Sequence, residues 1–313
     1  MSDLIHSLAL PLNFVDVAPT EIAQYTSKAM DAYLFQERIN DWQGGAIFLQ
    51  PWRKDDTITL QFQNNAGQIQ IDIIDCSQHV YLTFLMTQKQ QNFYAPAYFI
   101  YESSSTMGAL ADGIYFFKAS IGSGPDKILI SEPLDVRNDH QNTKLIEYSN
   151  PTFYENIIFE TGVTMAIRLP AILRKKPTAF KDTVYEDQVL DAVMVKSRPY
   201  RLWELLIGAP LQIPDWFEDK IARILGCQTL KIDGILYTKS IDAKMEEADN
   251  AWNGALKGFK IELRERLNRD SKIFSTTQNT NEELTLILNV SSKGFADTST
   301  DASANIFQVF DVE

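Results

Sequence analysis

Residues 57–63, Thr57-Ile58-Thr59-Leu60-Gln61-Phe62-Gln63, are followed by Asn64-Asn65-Ala66-Gly67 and then by Ile69-Gln70-Ile71-Asp72-Ile73. Ile58, Leu60 and Phe62 alternate with threonine and glutamine, and Ile69, Ile71 and Ile73 repeat the pattern. Side chains two apart lie on one face of a strand, and β-branched residues suit a pleated surface. The four residues between the runs are turn formers, since Asn and Gly tolerate positive φ. Two alternating runs around such a turn predict a β-hairpin with one apolar and one polar face.

Similar short runs recur on both sides. Strands are expected at 80–87, 98–101, 114–120 and 128–130, and then at 144–148, 157–161, 164–169, 191–196 and 203–207. Two more, 229–232 and 235–238, flank an Asp233-Gly234 hairpin turn, and Phe259, Ile261 and Leu263 alternate with Lys260, Glu262 and Arg264. Short strands with regular breaks imply a sandwich or open barrel. The expected fold is mainly β, with two β-sandwich-like domains, 1–138 and 139–272, divided at the polar connector Asn138-Asp139-His140-Gln141-Asn142. A C-terminal extension, 273–313, follows a Thr/Asn/Gln/Glu-rich stretch. In it Leu284, Leu286, Leu288 and Val290 alternate, as do the last apolar residues, Ile306 to Phe310. A lone strand is not stable, so this one must join a sheet of its own chain or of a neighbour.

Two helices interrupt this pattern. Asp215-Trp216-Phe217-Glu218 has the form of a capping box, Phe217, Ile221, Ile224 and Leu225 share one helical face, and Gly226 stops the run, which predicts a short amphipathic helix at 215–226. Near the N-terminus Ile22, Tyr25, Ala29 and Tyr33 have helical spacing with Thr20 as N-cap, although Tyr33-Leu34-Phe35 could equally start a strand.

Composition narrows the function classes. The 313 residues are 45% hydrophobic, with 18 Phe, 12 Tyr and 5 Trp, which is ample for a packed core. Forty-one acidic and 29 basic side chains give a net charge of −12, so nucleic acid is not an expected partner. Cys76 and Cys227 form no C-x-x-C pattern and read as two small buried thiols rather than a bridge. His6, His79 and His140 include no pair at i, i+4, which leaves metal-assisted and histidine-based catalysis short of parts. No run approaches the roughly 20 apolar residues needed to span a bilayer, and the apolar stretch Leu8 to Leu12 lacks a basic lead, so a soluble chain made in a cytoplasm with no membrane partner is expected.

Motifs that carry chemistry fail their context. Gly122-Ser123-Gly124 has no following Lys-Ser or Lys-Thr and reads as a turn, and Gly44-Gly45 as a strand start. The carboxylate pairs Asp55-Asp56, Glu186-Asp187 and Glu246-Glu247 are sequence neighbours. On a strand their side chains point to opposite faces, which weakens a glycosidase reading. Ser103-Ser104-Ser105 and Ser291-Ser292 lie outside any G-x-S-x-G. Trp42, Trp52, Trp203, Trp216 and Trp252 divide between core packing, a subunit interface and glycan stacking. Lys175, Lys176, Arg198 and Arg201 form a basic spot that reads either as ordinary surface charge or as one side of a head-to-tail contact between copies. No catalytic, cofactor-binding or metal-binding residue is assigned, and no cofactor is expected.

A longer series of words carries a family resemblance: Gln50-Pro51-Trp52, Asp56-Thr57-Ile58, Ile74-Asp75-Cys76, Ile130-Ser131-Glu132-Pro133, Ile146-Glu147-Tyr148-Ser149-Asn150 and Phe159-Glu160-Thr161-Gly162. It continues through Asp182 to Gln188, Ser197-Arg198-Pro199-Tyr200-Arg201, Ile213-Pro214-Asp215-Trp216 and Lys257 to Glu265. In this order the chain resembles phage and prophage tail proteins of Bacteroidetes-type genomes, of the minor tail, distal tail or baseplate kind, over residues 45–272. The resemblance implies a structural, non-enzymatic virion protein of the tail tip. It implies a homo-oligomeric ring, sixfold in the distal-tail form, that contacts tail tube, hub, tape measure or fibre proteins. It brings no catalytic residues. The competing readings are a glycan- or receptor-binding module of the same particle and, behind it, a glycosidase.

Overall fold

The computed structural model describes residues 4–34, 48–65, 67–95, 97–121, 128–186, 192–209, 213–214, 216–240, 243–248 and 256–266. Gly44-Gly45, Trp42, Gly122 to Gly124, Asp187, Asp215, Trp252 and the whole extension 273–313 lie outside them. The chain is mainly β. Its first half holds β1 (Leu4–Ile5), β2 (Phe14–Val17), α1 (Ile22–Leu34), β3 (Gln50–Arg53), β4 (Thr57–Asn64), β5 (Ile69–Ile74) and β6 (Val80–Leu85). Then come β7 (Thr87–Gln91), β8 (Phe99–Thr106), β9 (Gly113–Ile121), β10 (Ile128–Ser131) and β11 (Leu134–Arg137).

These strands form two sheets. One has the order β1-β4-β8-β7. In the other, β9 pairs with β5 on one side and with β10 and β11 on the other, and β6, β2 and β3 extend it outward. The expected hairpin is therefore corrected. Both runs are strands, but β4 pairs with β8 (Leu60↔Ser103, Phe62↔Tyr101) while β5 pairs with β9 (Ile71↔Ala119). The turn at Asn64 to Gly67 carries the chain from one sheet to the other. Ile58, Leu60 and Phe62 then share one buried cluster with Ile69, Ile71 and Ile73 across the sandwich. Alternation specifies which face is apolar, and stacking two such faces buries them as well as side-by-side pairing would.

The outer face of the second sheet is covered by α1. Ile22, Tyr25 and Ala29 pack on Val17, Ile74, Phe116, Ile128 and Ile130. The helical reading of this segment is the observed one through Leu34. Thr20 is not its cap: a 3-10 turn, Pro19–Glu21, precedes it with Ala18 at the N-cap and no side-chain cap bond, the proline supplying the starting φ.

The second half holds β12 (Thr143–Ser149), β13 (Met165–Lys175), β14 (Ala179–Glu186), β15 (Ala192–Tyr200), β16 (Leu202–Ile207), β17 (Ile213–Pro214) and α2 (Phe217–Leu225). It ends with β18 (Thr229–Ile232), β19 (Ile235–Lys239), β20 (Glu246–Glu247), β21 (Leu256–Lys257) and β22 (Phe259–Glu265). The antiparallel order β16-β13-β12-β18-β19-β22 closes on itself, because β22 also pairs with β16 from Leu202↔Arg264 to Ile207↔Phe259. Ile146, Tyr148, Met165, Ile167, Leu169, Leu205, Leu230, Tyr237, Phe259 and Leu263 are buried in the cluster, each on the alternate set of its strand. Closure removes the free edges that an open sheet would present. Asp233 (φ 48) and Gly234 (φ 80) make the two-residue turn between β18 and β19, with Ile232↔Ile235 closing it.

Helix α2 buries Phe217, Ile221, Ile224 and Leu225, the expected face. Trp216 occupies its N-cap position and makes no side-chain capping bond to the helix. Gly226 ends the helix in right-handed geometry; what it provides is space, since a Cβ there would collide with the Tyr154 hydroxyl, which donates to Arg223 O at 3.0 Å. The strand expected at 157–161 is instead a 3-10 turn, Phe159–Thr161, ending at Gly162 with φ 83. Ile157, Ile158 and Phe159 are all buried, which a strand with one wet face would not allow.

The sheets change at the connector 138–142, but the hydrophobic cluster does not. Residues from Leu10 to Leu263 belong to it, and Phe48 of the first half stacks edge-on against Phe217 of α2 with centroids 4.9 Å apart. Polar groups join the halves too. Arg168 lies on β13 between the inward-facing Ile167 and Leu169, yet it is buried because Asp56 covers it, Nη2 donating to Oδ1 at 2.8 Å. Gln61 reads the backbone of Ile158 twice, donating to its carbonyl at 3.0 Å and accepting its N–H at 2.8 Å.

Candidate interaction surfaces

The grooves among the described residues include two with polar linings. One, about 290 Å³, is lined by Lys176, Glu204, Lys244, Glu246, Lys260 and Glu262. Its carboxylates are neutralised in place: Lys176 lies 3.0 Å from Glu262 and 3.5 Å from Glu204, and Lys260 lies 3.2 Å from Glu246. The Lys176 hydrogen bond holds the Glu262 carboxyl below the usual range, the opposite of what a general acid needs. The other groove, about 360 Å³, lies between β6, β7 and β8 and includes Phe84, Leu85, Lys89, Glu102 and the Ser103 to Ser105 run.

The described carboxylate pairs do not converge: Asp55 and Asp56 lie in the turn between β3 and β4, and Glu246 and Glu247 form the short β20. Asp56 turns inward to Arg168 while Asp55 pairs with Arg53 at 3.2 Å. Glu246 and Glu247 answer different lysines, Lys260 and Lys257. Among the described residues, no three His, Cys, Asp or Glu side chains converge as a metal-holding group. Cys227 is buried as expected, but Cys76 is exposed and neither thiol is bridged, which corrects the reading of two buried thiols. The basic spot is partly neutralised: Lys176 is paired as above, and Arg201 lies 3.1 Å from Glu265.

The described tryptophans favour packing. Trp52 is fully buried, Trp203 donates to Glu265 at 3.0 Å beside Tyr237, and Trp216 lies against Phe217. The exposed aromatics are others, and composition alone could not single them out. Tyr94 and Phe153 lie 4.8 Å apart at a 35° tilt, with Phe93 nearby in sequence. Glu160 fixes both loops, accepting the Tyr94 hydroxyl at 2.8 Å and the Phe153 N–H at 3.1 Å.

The hairpin β14–β15 carries a group of exposed apolar side chains. Among the described residues its two strands pair only with each other, from Ala179↔Tyr200 to Glu186↔Ala192, with a bulge at Thr183/Val184. Phe180 is 59% exposed, Val184 51%, Tyr185 62% and Met194 62%. A two-stranded ribbon has two open edges, and four large apolar groups in water mark a surface suited to burial by another molecule.

Comparison with models of known protein families, with curated proteins and with solved structures returns no match.

Proposed function

We propose that this chain is a structural subunit of a phage tail tip or baseplate, of the distal-tail kind, which assembles with copies of itself and with other tail proteins. The observation that carries the reading is the β14–β15 ribbon, whose edges have no partner strand among the described residues and which holds Phe180, Val184, Tyr185 and Met194 in water. A ribbon of this kind gains stability by adding to a neighbour's sheet edge, and repeated head-to-tail addition closes a ring. The acidic charge and the closed barrel with its buried apolar interior fit a rigid building block. The tail-tip assignment itself rests on the sequence resemblance. Negative-stain imaging and light scattering of the purified protein test it: rings or a defined oligomer are expected, and a strict monomer at tens of micromolar would sink the reading.

A glycan- or receptor-binding role in the same particle is the second reading. It is favoured by the exposed Tyr94–Phe153 pair held by Glu160, since flat aromatic faces stack sugars. A glycan array distinguishes it, with binding lost in Tyr94→Ala if the pair is the platform.

A further inference from the structure

The segment before β2, the residue after β10 and helix α2 meet at one point that neither reading uses. Lys220 is only 4% exposed, and its Nζ lies 3.1 Å from the Pro11 carbonyl oxygen and 2.9 Å from Asn13 Oδ1. The Phe217 ring, one turn earlier on α2, lies 5.3 Å from the same nitrogen. Both hydrogen-bond partners are neutral amides, an unusual setting for a buried lysine, which ordinarily lies against a carboxylate. Glu132, the residue after β10, is close enough for its charge to act on Lys220. Its N–H donates to Asn13 O at 3.0 Å, continuing the β10–β2 register beyond Ser131↔Phe14, so Glu132 and Asn13 are cross-strand partners with side chains on one face.

The electrostatics of this group favour the uncharged forms. Burial pushes Lys220 down to about 7, opposed by the charge of Glu132. Burial pushes the Glu132 carboxyl up to about 8, opposed in turn by Lys220. An amine whose charge is disfavoured by burial therefore faces a carboxamide 2.9 Å away, near a carboxyl in which burial favours the protonated form.

We propose that Lys220 and Asn13 join in an autocatalytic isopeptide bond, with Glu132 carrying the protons. The Nζ lone pair attacks Asn13 Cγ, one bond beyond the oxygen that Nζ already contacts. Glu132 lends its proton to Oδ1 as the tetrahedral centre forms. A proton leaves Nζ through the Glu132 carboxylate for Nδ2, the Cγ–Nδ2 bond breaks, and ammonia departs. The proton on Oδ1 returns to Glu132 as the carbonyl re-forms. One amine and one carboxamide become one secondary amide and ammonia. Nothing is oxidised or reduced, no outside reagent enters, and Glu132 ends protonated as it began. Fixed alignment supplies the rate that the same pair lacks in solution. The product ties the N-terminal segment to α2 across 207 residues of sequence, linking the two halves covalently.

Intact-mass spectrometry of the folded, full-length protein after denaturation tests this. The expected mass is lower than that of the sequence by one ammonia, and a digest should yield a branched peptide joining Asn13 to Lys220. Glu132→Gln, close to isosteric, should restore the full mass with unchanged far-UV circular dichroism, and Lys220→Arg should abolish the branched peptide. A wild-type protein at full sequence mass overturns the proposal. So does ammonia loss without a branched peptide, which would mark cyclisation at Asn13 instead. The wild-type measurement decides alone if the lysine variant fails to fold.

Discussion

Arg168 and Asp56 form a pair whose side chains are 7% and 6% exposed. Thr143 Oγ1 accepts from Nη1 at 3.0 Å, so the charge is answered on two sides. Removing one partner of such a pair leaves the other buried without compensation, which costs about 3–5 kcal/mol. Asp56→Ala is expected to lower the denaturant midpoint by an amount in that range, whereas Asp55→Ala, one residue away in water, should change it little. Asp72 provides a pH signature. Burial works against its carboxylate, but hydrogen bonds from Gln70 and Thr83, each 2.8 Å, and Lys118 at 3.1 Å outweigh it and hold the group below its ordinary range. A depressed folded value means the stabilisation is complete above the unfolded value of about 3.9 and is lost as pH falls through the folded one. Asp72→Asn should therefore be less stable than wild type near neutrality, and the difference should shrink in acid. Urea midpoints measured from neutral pH to pH 2 read this directly, and a constant difference would refute it.

Among the elements, β4 and β5 show where pattern reading ends. Both were legible as strands, because Ile, Leu and Phe alternate with Thr and Gln. Their partners were not, because alternation is the same whether two apolar faces lie side by side in one sheet or stacked across a sandwich. The 157–161 segment forms a turn where its pattern predicts a strand for a related reason: a short, mostly buried apolar run is a strand or a turn according to what surrounds it. The Asp233-Gly234 turn was read correctly, since positive φ at both positions is a local demand that Asp and Gly meet locally. The ribbon β14–β15 carries the assembly prediction. Phe180→Ser with Tyr185→Ser removes exposed apolar surface, so monomer stability should stay within about 0.5 kcal/mol. Self-association, measured by analytical ultracentrifugation, should fall at least tenfold. Unchanged association would move the contact elsewhere.

Taken together, the described residues form two sheet systems that share one large hydrophobic cluster, with a smaller cluster beneath α1. Tyr148 of β12 donates its hydroxyl to the Ala9 carbonyl, and the Phe48–Phe217 contact joins the same regions. The polar face of β4 is buried against the 156–161 loop, where Gln63 donates to Asn156 O at 2.9 Å and Gln61 binds Ile158. A shared core unfolds as a unit. One cooperative thermal transition is therefore expected, with calorimetric and van't Hoff enthalpies in agreement. A fragment beginning at Thr143 should show the poor amide dispersion of a partly folded chain; two separate transitions, or a well-folded fragment, would refute the shared core.

The order of apolar and polar residues by itself determined that this chain is mainly β, where most strands lie, that α2 has one apolar face, and that Asp233-Gly234 turns tightly. Each of these follows from a local period or a local φ requirement. Only the tertiary structure decided that β4 and β5 part into different sheets and that β22 returns to close the barrel on β16. It likewise decided that glutamines on an apparently wet face lie buried against a distant backbone, and that Asn13, Glu132 and Lys220 meet. Those outcomes depend on contacts between residues far apart in sequence, and no period along the chain records which distant partner a face or a buried charge will find.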